Sequence, residues 1–179
     1  MLLYEFSIIY IMFYIYRDCN YKQKENIMKF EIIPKQDIIP VFDSKGIKIK
    51  YIRYDPLFDN EEYEEEDITE TLISWILEQI PDGIEVLLYM DSYGEEDFLE
   101  VLCDGEWLAL CRYTGKYEVY YSYNHCFAGT EELSPLESGG QSPVEKYLAI
   151  NDIGTGVKAV EYFIRTGELY PGIDWAKDI

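Results

Sequence analysis

The single histidine, His125, stands in Asn124-His125-Cys126, and any Ser-His-Asp or Cys-His nucleophile in this chain has to use it. Such a device needs its base and nucleophile to converge, whereas side chains adjacent in sequence diverge. A surface or hydrogen-bonding histidine is therefore expected. The four cysteines, Cys19, Cys103, Cys111 and Cys126, form no Cys-x-x-Cys pair and no metal-ligand spacing, and one histidine excludes a His-rich metal site. Cys103 and Cys111 lie in apolar runs, where a free thiol packs as a small core residue. Asp91-Ser92-Tyr93-Gly94-Glu95-Glu96-Asp97 has the composition of a calcium loop but neither its alternating ligands nor its distal glutamate, so it reads as a solvated hairpin turn. Gly154-Thr155-Gly156 lacks the third glycine of a dinucleotide fingerprint and the lysine of a phosphate loop, and reads as a helix entry. A carboxylate pair of the glycosidase kind is compatible with the composition, yet acids are so numerous that no pair stands out. No catalytic residue, cofactor or metal is expected.

Charge is more informative. The 179 residues carry 35 Asp and Glu against 15 Lys and Arg, a formal net charge of −20. That field repels nucleic-acid phosphates and anionic headgroups and speeds encounter with a basic protein. With 18 Tyr, 8 Phe and 3 Trp the chain is too aromatic for a disordered acidic segment, so it is expected to fold. Between Arg53 and Arg112 there is no Lys, Arg or His, while Asp55 through Glu106 supply 19 acids. The dense parts are Glu61, Glu62, Glu64, Glu65, Glu66 and Asp67, then Glu95, Glu96 and Asp97. A solvated face and a favourable helix N-terminus account for single clusters. Self-repulsion across the whole segment is destabilising, and binding to a basic partner offsets it.

The elements that must position these acids follow from the pattern. Residues 1–27 begin with an apolar run that is shorter than the ~20 residues of a membrane span and is interrupted by Glu5. Nothing basic precedes that run as in a signal peptide; a native start at Met28 is favoured over a loosely packed helix or strand, and both over a membrane anchor. Lys29–Ile33, Ile38–Phe42 and Ile47–Tyr54 are β-rich runs. Asp67-Ile68-Thr69-Glu70 reads as a capping box opening a helix, whose apolar face runs from Ile68 to Ile80 and stops at Pro81-Asp82-Gly83. Ile84–Met90, Phe98–Cys103, Trp107–Tyr113 and Tyr117–Tyr123 follow as strands, with turn signals at 92–96, Asp104-Gly105 and Thr114-Gly115. Such short connections predict an antiparallel meander. Residues 126–143 read as loop, Val144–Ile150 as a last strand, and 156–166 as a helix capped by Gly167. The expectation is one α+β domain over 28–179, two main helices packed on a curved antiparallel sheet.

The C-terminal residues carry a resemblance. Asn151-Asp152-Ile153, Lys158 through Gly167 with Phe163-Ile164-Arg165-Thr166-Gly167, then Pro171 and Trp175, resemble the end of the Imm1 family of bacterial immunity proteins. The upstream order of helix with Trp75, meander, loop and short strand is similar as well, and the resemblance extends over 28–176. The linker Glu168-Leu169-Tyr170 departs from the family's Gly-x-Arg-Pro form. The resemblance implies a cytoplasmic immunity protein of a polymorphic or contact-dependent toxin system, binding a cognate nuclease or nucleic-acid deaminase domain. A basic toxin groove matches the acidic chain. The expected contact residues are Glu61, Glu62, Glu64, Glu65, Glu66, Asp67, Glu95, Glu96 and Asp97, with Tyr121, Tyr123 and His125 as aromatic anchors. A DNA-mimic regulator of a host nucleic-acid enzyme is the alternative, and a carboxylate-based hydrolase a third.

Overall fold

The computed structural model describes residues 30–54 and 61–179. The N-terminal segment 1–27 and the start at Met28 lie outside the described residues, as do residues 55–60.

Among the described residues eleven strands and two α-helices follow one another as β1 (Phe30–Ile33), β2 (Tyr51–Tyr54), β3 (Glu61–Glu64), α1 (Glu70–Gln79), β4 (Ile84–Tyr89), β5 (Phe98–Cys103), β6 (Leu108–Tyr113), β7 (Val119–Tyr123), β8 (Leu133–Ser138), β9 (Ser142–Glu145), β10 (Ala149–Ile150), α2 (Ile153–Thr166) and β11 (Asp174–Asp178). Nine strands form one sheet in the order β1-β11-β7-β6-β5-β4-β2-β3, with β10 also pairing with β6, and β8-β9 form a separate ribbon. Every neighbouring pair is antiparallel, and β4 through β7 form the expected meander. The domain is α+β, as its alternating runs predict.

Period-two alternation sends Val86, Leu88, Leu99, Val101, Leu108 and Leu110 to one face of the sheet. There they meet Ile73, Ile76 and Ile80 from α1 and its 3-10 extension, and Val160, Phe163 and Ile164 from α2. Each of these fully buried side chains contributes about 1.5–3 kcal/mol relative to exposure. The β8-β9 ribbon covers part of the opposite face, where Leu136 and Val144 pack with Leu102, Ala109, Leu148 and Ala176. Central strands are thus buried on both faces, and so they read as nearly continuous apolar runs. No helix among the described residues is long and apolar enough to cross a membrane.

Several elements differ from expectation. Residues 38–42 form no strand: Pro40 removes a donor, and Ile38 and Val41 are 82 % and 101 % exposed. The helix is capped by Thr69, whose hydroxyl accepts from Leu72 N–H at 3.3 Å, and not by Asp67. Asp67 N–H instead donates to the Glu64 carbonyl at 2.9 Å, closing the turn after β3. Glu61–Glu64, read only as an acidic stretch, is the edge strand of the sheet. The stretch 126–143 holds β8 and the start of β9, joined through Gly139 and Gly140 at φ 57° and 66°. Val144–Ile150 is not one strand: a single 3-10 turn, Lys146–Leu148, divides β9 from β10. β11 was not anticipated; it sits between β1 and β7, pairing with both.

Candidate protein-binding surface

Cross-strand register decides which acids become neighbours. Glu64 lies opposite Tyr51, Tyr51 opposite Tyr89, Tyr89 opposite Phe98, and Phe98 opposite Tyr113. The turn Glu65-Glu66-Asp67 and the β4-β5 loop therefore leave the sheet at the same end, which also carries the β6-β7 turn. Between the acids runs a ladder of rings with centroids 5.7 Å (Tyr51–Tyr89), 5.3 Å (Tyr89–Phe98) and 5.5 Å (Phe98–Tyr113) apart.

The acids differ in what they already hold, and Glu61 and Glu62, opposite Tyr54 and Arg53, lie along β3 away from this end. Glu65, Glu66 and Asp67 are exposed in the turn. Glu62 accepts from Arg53 Nε at 3.1 Å, and Glu61 accepts the Tyr63 hydroxyl. Burial and the Glu62 carboxylate push the Tyr51 phenol up to about 12. Glu95 and Glu96 are exposed. Asp97 is not available in the same way, because it pairs with the guanidinium of Arg112, which is 7 % exposed and lies 5.0 Å from the Phe163 ring centroid.

The β4-β5 loop is organised by Asp91. Its two carboxylate oxygens accept the N–H groups of Tyr93, Glu95, Glu96 and Asp97 at 2.9–3.2 Å. Burial alone would raise its pKa; the four donors hold it below the usual carboxylate range. The calcium-like composition is thus the chemistry of a loop capped on itself, as its reading as a hairpin turn predicts. Gly94 allows the loop to close, since at φ 67° it brings its backbone against Tyr51, and a Cβ there would stand 2.8 Å from the ring. Among the described residues no group of three His, Cys, Asp or Glu is placed to hold a metal ion.

Tyr121, Tyr123 and His125 are not part of this cluster. β7 runs away from the acidic end, so that Tyr123 pairs with Asp174 near the far end. Tyr121 and Tyr123 are half-buried against the second core, with Tyr121 edge-on to Phe30 at 6.0 Å. His125 is exposed, 3.5 Å from Asp174 Oδ2, with its ring 4.8 Å from that of Tyr123.

Two features escaped the sequence reading. Tyr93 and Tyr117 are 84 % and 86 % exposed on the tips of adjacent hairpins. Their signal was an aromatic residue at a turn position, where polar residues are the rule. Glu100 is a carboxyl 3 % exposed beneath the β8-β9 ribbon; Ser138 Oγ donates to its Oε1 at 2.7 Å, and Gly139 N–H donates to the nearby Glu85 at 3.3 Å. Burial pushes the Glu100 pKa up to about 7. Its signal was a lone acid in the apolar run Phe98-Leu99-Glu100-Val101-Leu102-Cys103.

The residues that carry the family resemblance all have structural work. Gly167 is the left-handed cap of α2 at φ 76°, its N–H donating to the Phe163 carbonyl at 2.7 Å. Trp175 is 3 % exposed in β11 and donates from Nε1 to the Tyr170 carbonyl at 2.9 Å. Pro171 accepts from Gln36 N–H at 2.7 Å, tying the return loop to the segment after β1. No family model matches the chain, and no curated protein matches it.

Proposed function

We propose that this protein is a stoichiometric inhibitor of the immunity type, which binds a basic, nucleic-acid-directed toxin domain in the cytoplasm of the producing cell and blocks substrate entry. The observation that carries this reading is the gathering of two separate acidic runs, Glu64–Asp67 and Glu95–Glu96, at one end of the sheet of a chain with net charge −20. An acidic end of this kind attracts a groove built to hold a polyanion, and gives fast, salt-sensitive association. The C-terminal resemblance supplies the kind of partner. Glu100 lends nothing to a hydrolase reading, since its carboxyl is sealed under Ser138.

The test is co-expression with the product of the neighbouring upstream gene. Restored growth and a co-purifying one-to-one complex are expected. A chain that neither restores growth nor co-purifies with that product would overturn the immunity reading.

A further inference from the structure

Tyr93 and Tyr117 are the two most exposed tyrosines among the described residues, and they occupy the tips of neighbouring hairpins. The two turns are neighbours: Gly115 in the β6-β7 turn faces the Glu96 side chain, such that a Cβ built on it would lie 3.8 Å from Oε2. Tyr113, at the base of the same turn, feels the charges of both Tyr117 and Glu96, after burial as the larger cause of its raised pKa. Aromatic surface, two free carboxylates and two hairpin tips thus share one end of the sheet.

Tyr117 also sits in unusual backbone. It is the only non-glycine with positive φ among the described residues, at 63°. Its N–H closes a turn onto the Thr114 carbonyl at 2.9 Å, and Thr114 N–H then pairs with the Glu118 carbonyl at 2.9 Å. Glycine or asparagine suits the left-handed residue of such a hairpin, and a bulky side chain there is strained. The ring gains little burial in return, as it projects into solvent.

We propose that the partner docks on these paired tips, with Tyr93 and Tyr117 as aromatic anchors that stack arginine side chains while Glu95 and Glu96 receive the guanidinium charge. This rests on the reading of the protein as a binder of a basic protein, and narrows it to one surface and one kind of contact. Charge complementarity selects the occupant. Within residues 91–97 and 114–118 Lys116 is the single base, whereas Asp97 and Glu118 are already paired with Arg112 and Lys177 and leave Glu95 and Glu96 as the unengaged exposed acids. Arginine is the matching side chain, because its flat cation lies on a phenol face and hydrogen-bonds a carboxylate at once.

The probe is a nona-arginine peptide titrated into the full chain labelled with nitrogen-15, with nona-lysine in parallel at the same salt. Arginine is expected to shift the amide resonances of residues 91–97 and 114–118 and to bind more tightly than lysine. The Tyr93→Ser/Tyr117→Gly double variant keeps the net charge, and it is expected to bind nona-arginine at least fivefold more weakly with an unchanged or higher Tm, since glycine accepts the left-handed backbone. Tyr93→Ser alone, which leaves the strained position untouched, is expected to lose at least twofold. Shifts confined to residues 61–67, equal affinity for the two peptides, or smaller losses would overturn the proposal. A complex with the upstream gene product that the double variant forms equally well would overturn this surface and leave the inhibitor reading standing. Failure to form that complex while nona-arginine still maps to the tips would remove the inhibitor reading alone.

Discussion

Replacing Glu100 with glutamine is expected to make the protein more stable at neutral and alkaline pH, and by much less at pH 5. Glu100 lies on the sheet face covered by the β8-β9 ribbon, with Ser138 donating to it from above and Glu85 of β4 adding negative potential. Tyr89 of β4 and Cys111, its cross-strand neighbour on β6, also face that region, and Arg53 lies beyond Leu87 in the same row. Burial, the dominant cause, lifts the carboxyl from an ordinary 4.5 to about 7. Below pH 4.5 both folded and unfolded chains hold the proton, and Glu100 has no effect on stability. Between 4.5 and about 7 the unfolded chain releases the proton while the folded one keeps it, so stability falls as pH rises; above 7 the full loss persists. At 1.36 kcal/mol per unit the total is about 3 kcal/mol, of which about 2 accrues between pH 5 and 8. Asp91 and Asp152 have depressed pKa values and act in the opposite sense at lower pH, outside that window. The assay is urea unfolding followed by tryptophan fluorescence at pH 5, 6, 7 and 8 for the native chain and Glu100→Gln. The variant keeps an oxygen to accept from Ser138, so the stability difference should open by about 2 kcal/mol across the range, or roughly 4–8 °C in Tm. Parallel stability curves would refute the claim that the buried carboxyl is held protonated.

Three further outcomes follow from individual contacts. Ser122 is fully buried, accepts from Leu110 N–H at 3.1 Å and donates to the Leu148 carbonyl at 2.8 Å, so Ser122→Ala strands two backbone groups and should cost about 2–4 kcal/mol by urea unfolding. Gly167→Ala combines a left-handed backbone with a Cβ placed 2.6 Å from Met90 Cε, and should lower stability by more than about 1 kcal/mol in the same assay. Asp91→Ala removes the acceptor shared by four amides, so hydrogen exchange at Tyr93, Glu95, Glu96 and Asp97 should accelerate at least tenfold while the core strands remain protected.

Local signals in the chain foretold most of the framework. Asp104-Gly105 and Thr114-Gly115 marked the meander, and the helical run 156–166 closed by Gly167 marked α2. What escaped was structure set by distant partners. β11 reads as a short mixed segment, and is a strand only because β1 and β7 stand on either side of it. β8 alternates Ser134, Leu136 and Ser138 inward, and serines at buried positions resemble a loop until Ser134 Oγ is seen to donate to the Val144 carbonyl at 2.8 Å. β3 was hidden because Glu61–Glu64 has poor strand propensity; an edge tolerates glutamates, which also discourage edge-to-edge pairing with a second copy. That the acids are concentrated was legible residue by residue, whereas their meeting at one end depends on register. Tyr121 and Tyr123 looked like anchors because strand alternation alone does not reveal that the ribbon and β1 cover part of their face.

The central claim is that the acidic end binds a basic protein partner. Its most direct test is the association rate of the upstream gene product with the native chain and with Glu64→Lys/Glu65→Lys/Glu66→Lys, measured from 50 to 500 mM NaCl. The account predicts fast association that falls steeply with salt, and a triple variant that folds normally yet associates at least tenfold more slowly with a flatter salt dependence. Equal rates and equal salt slopes for the two chains would contradict it.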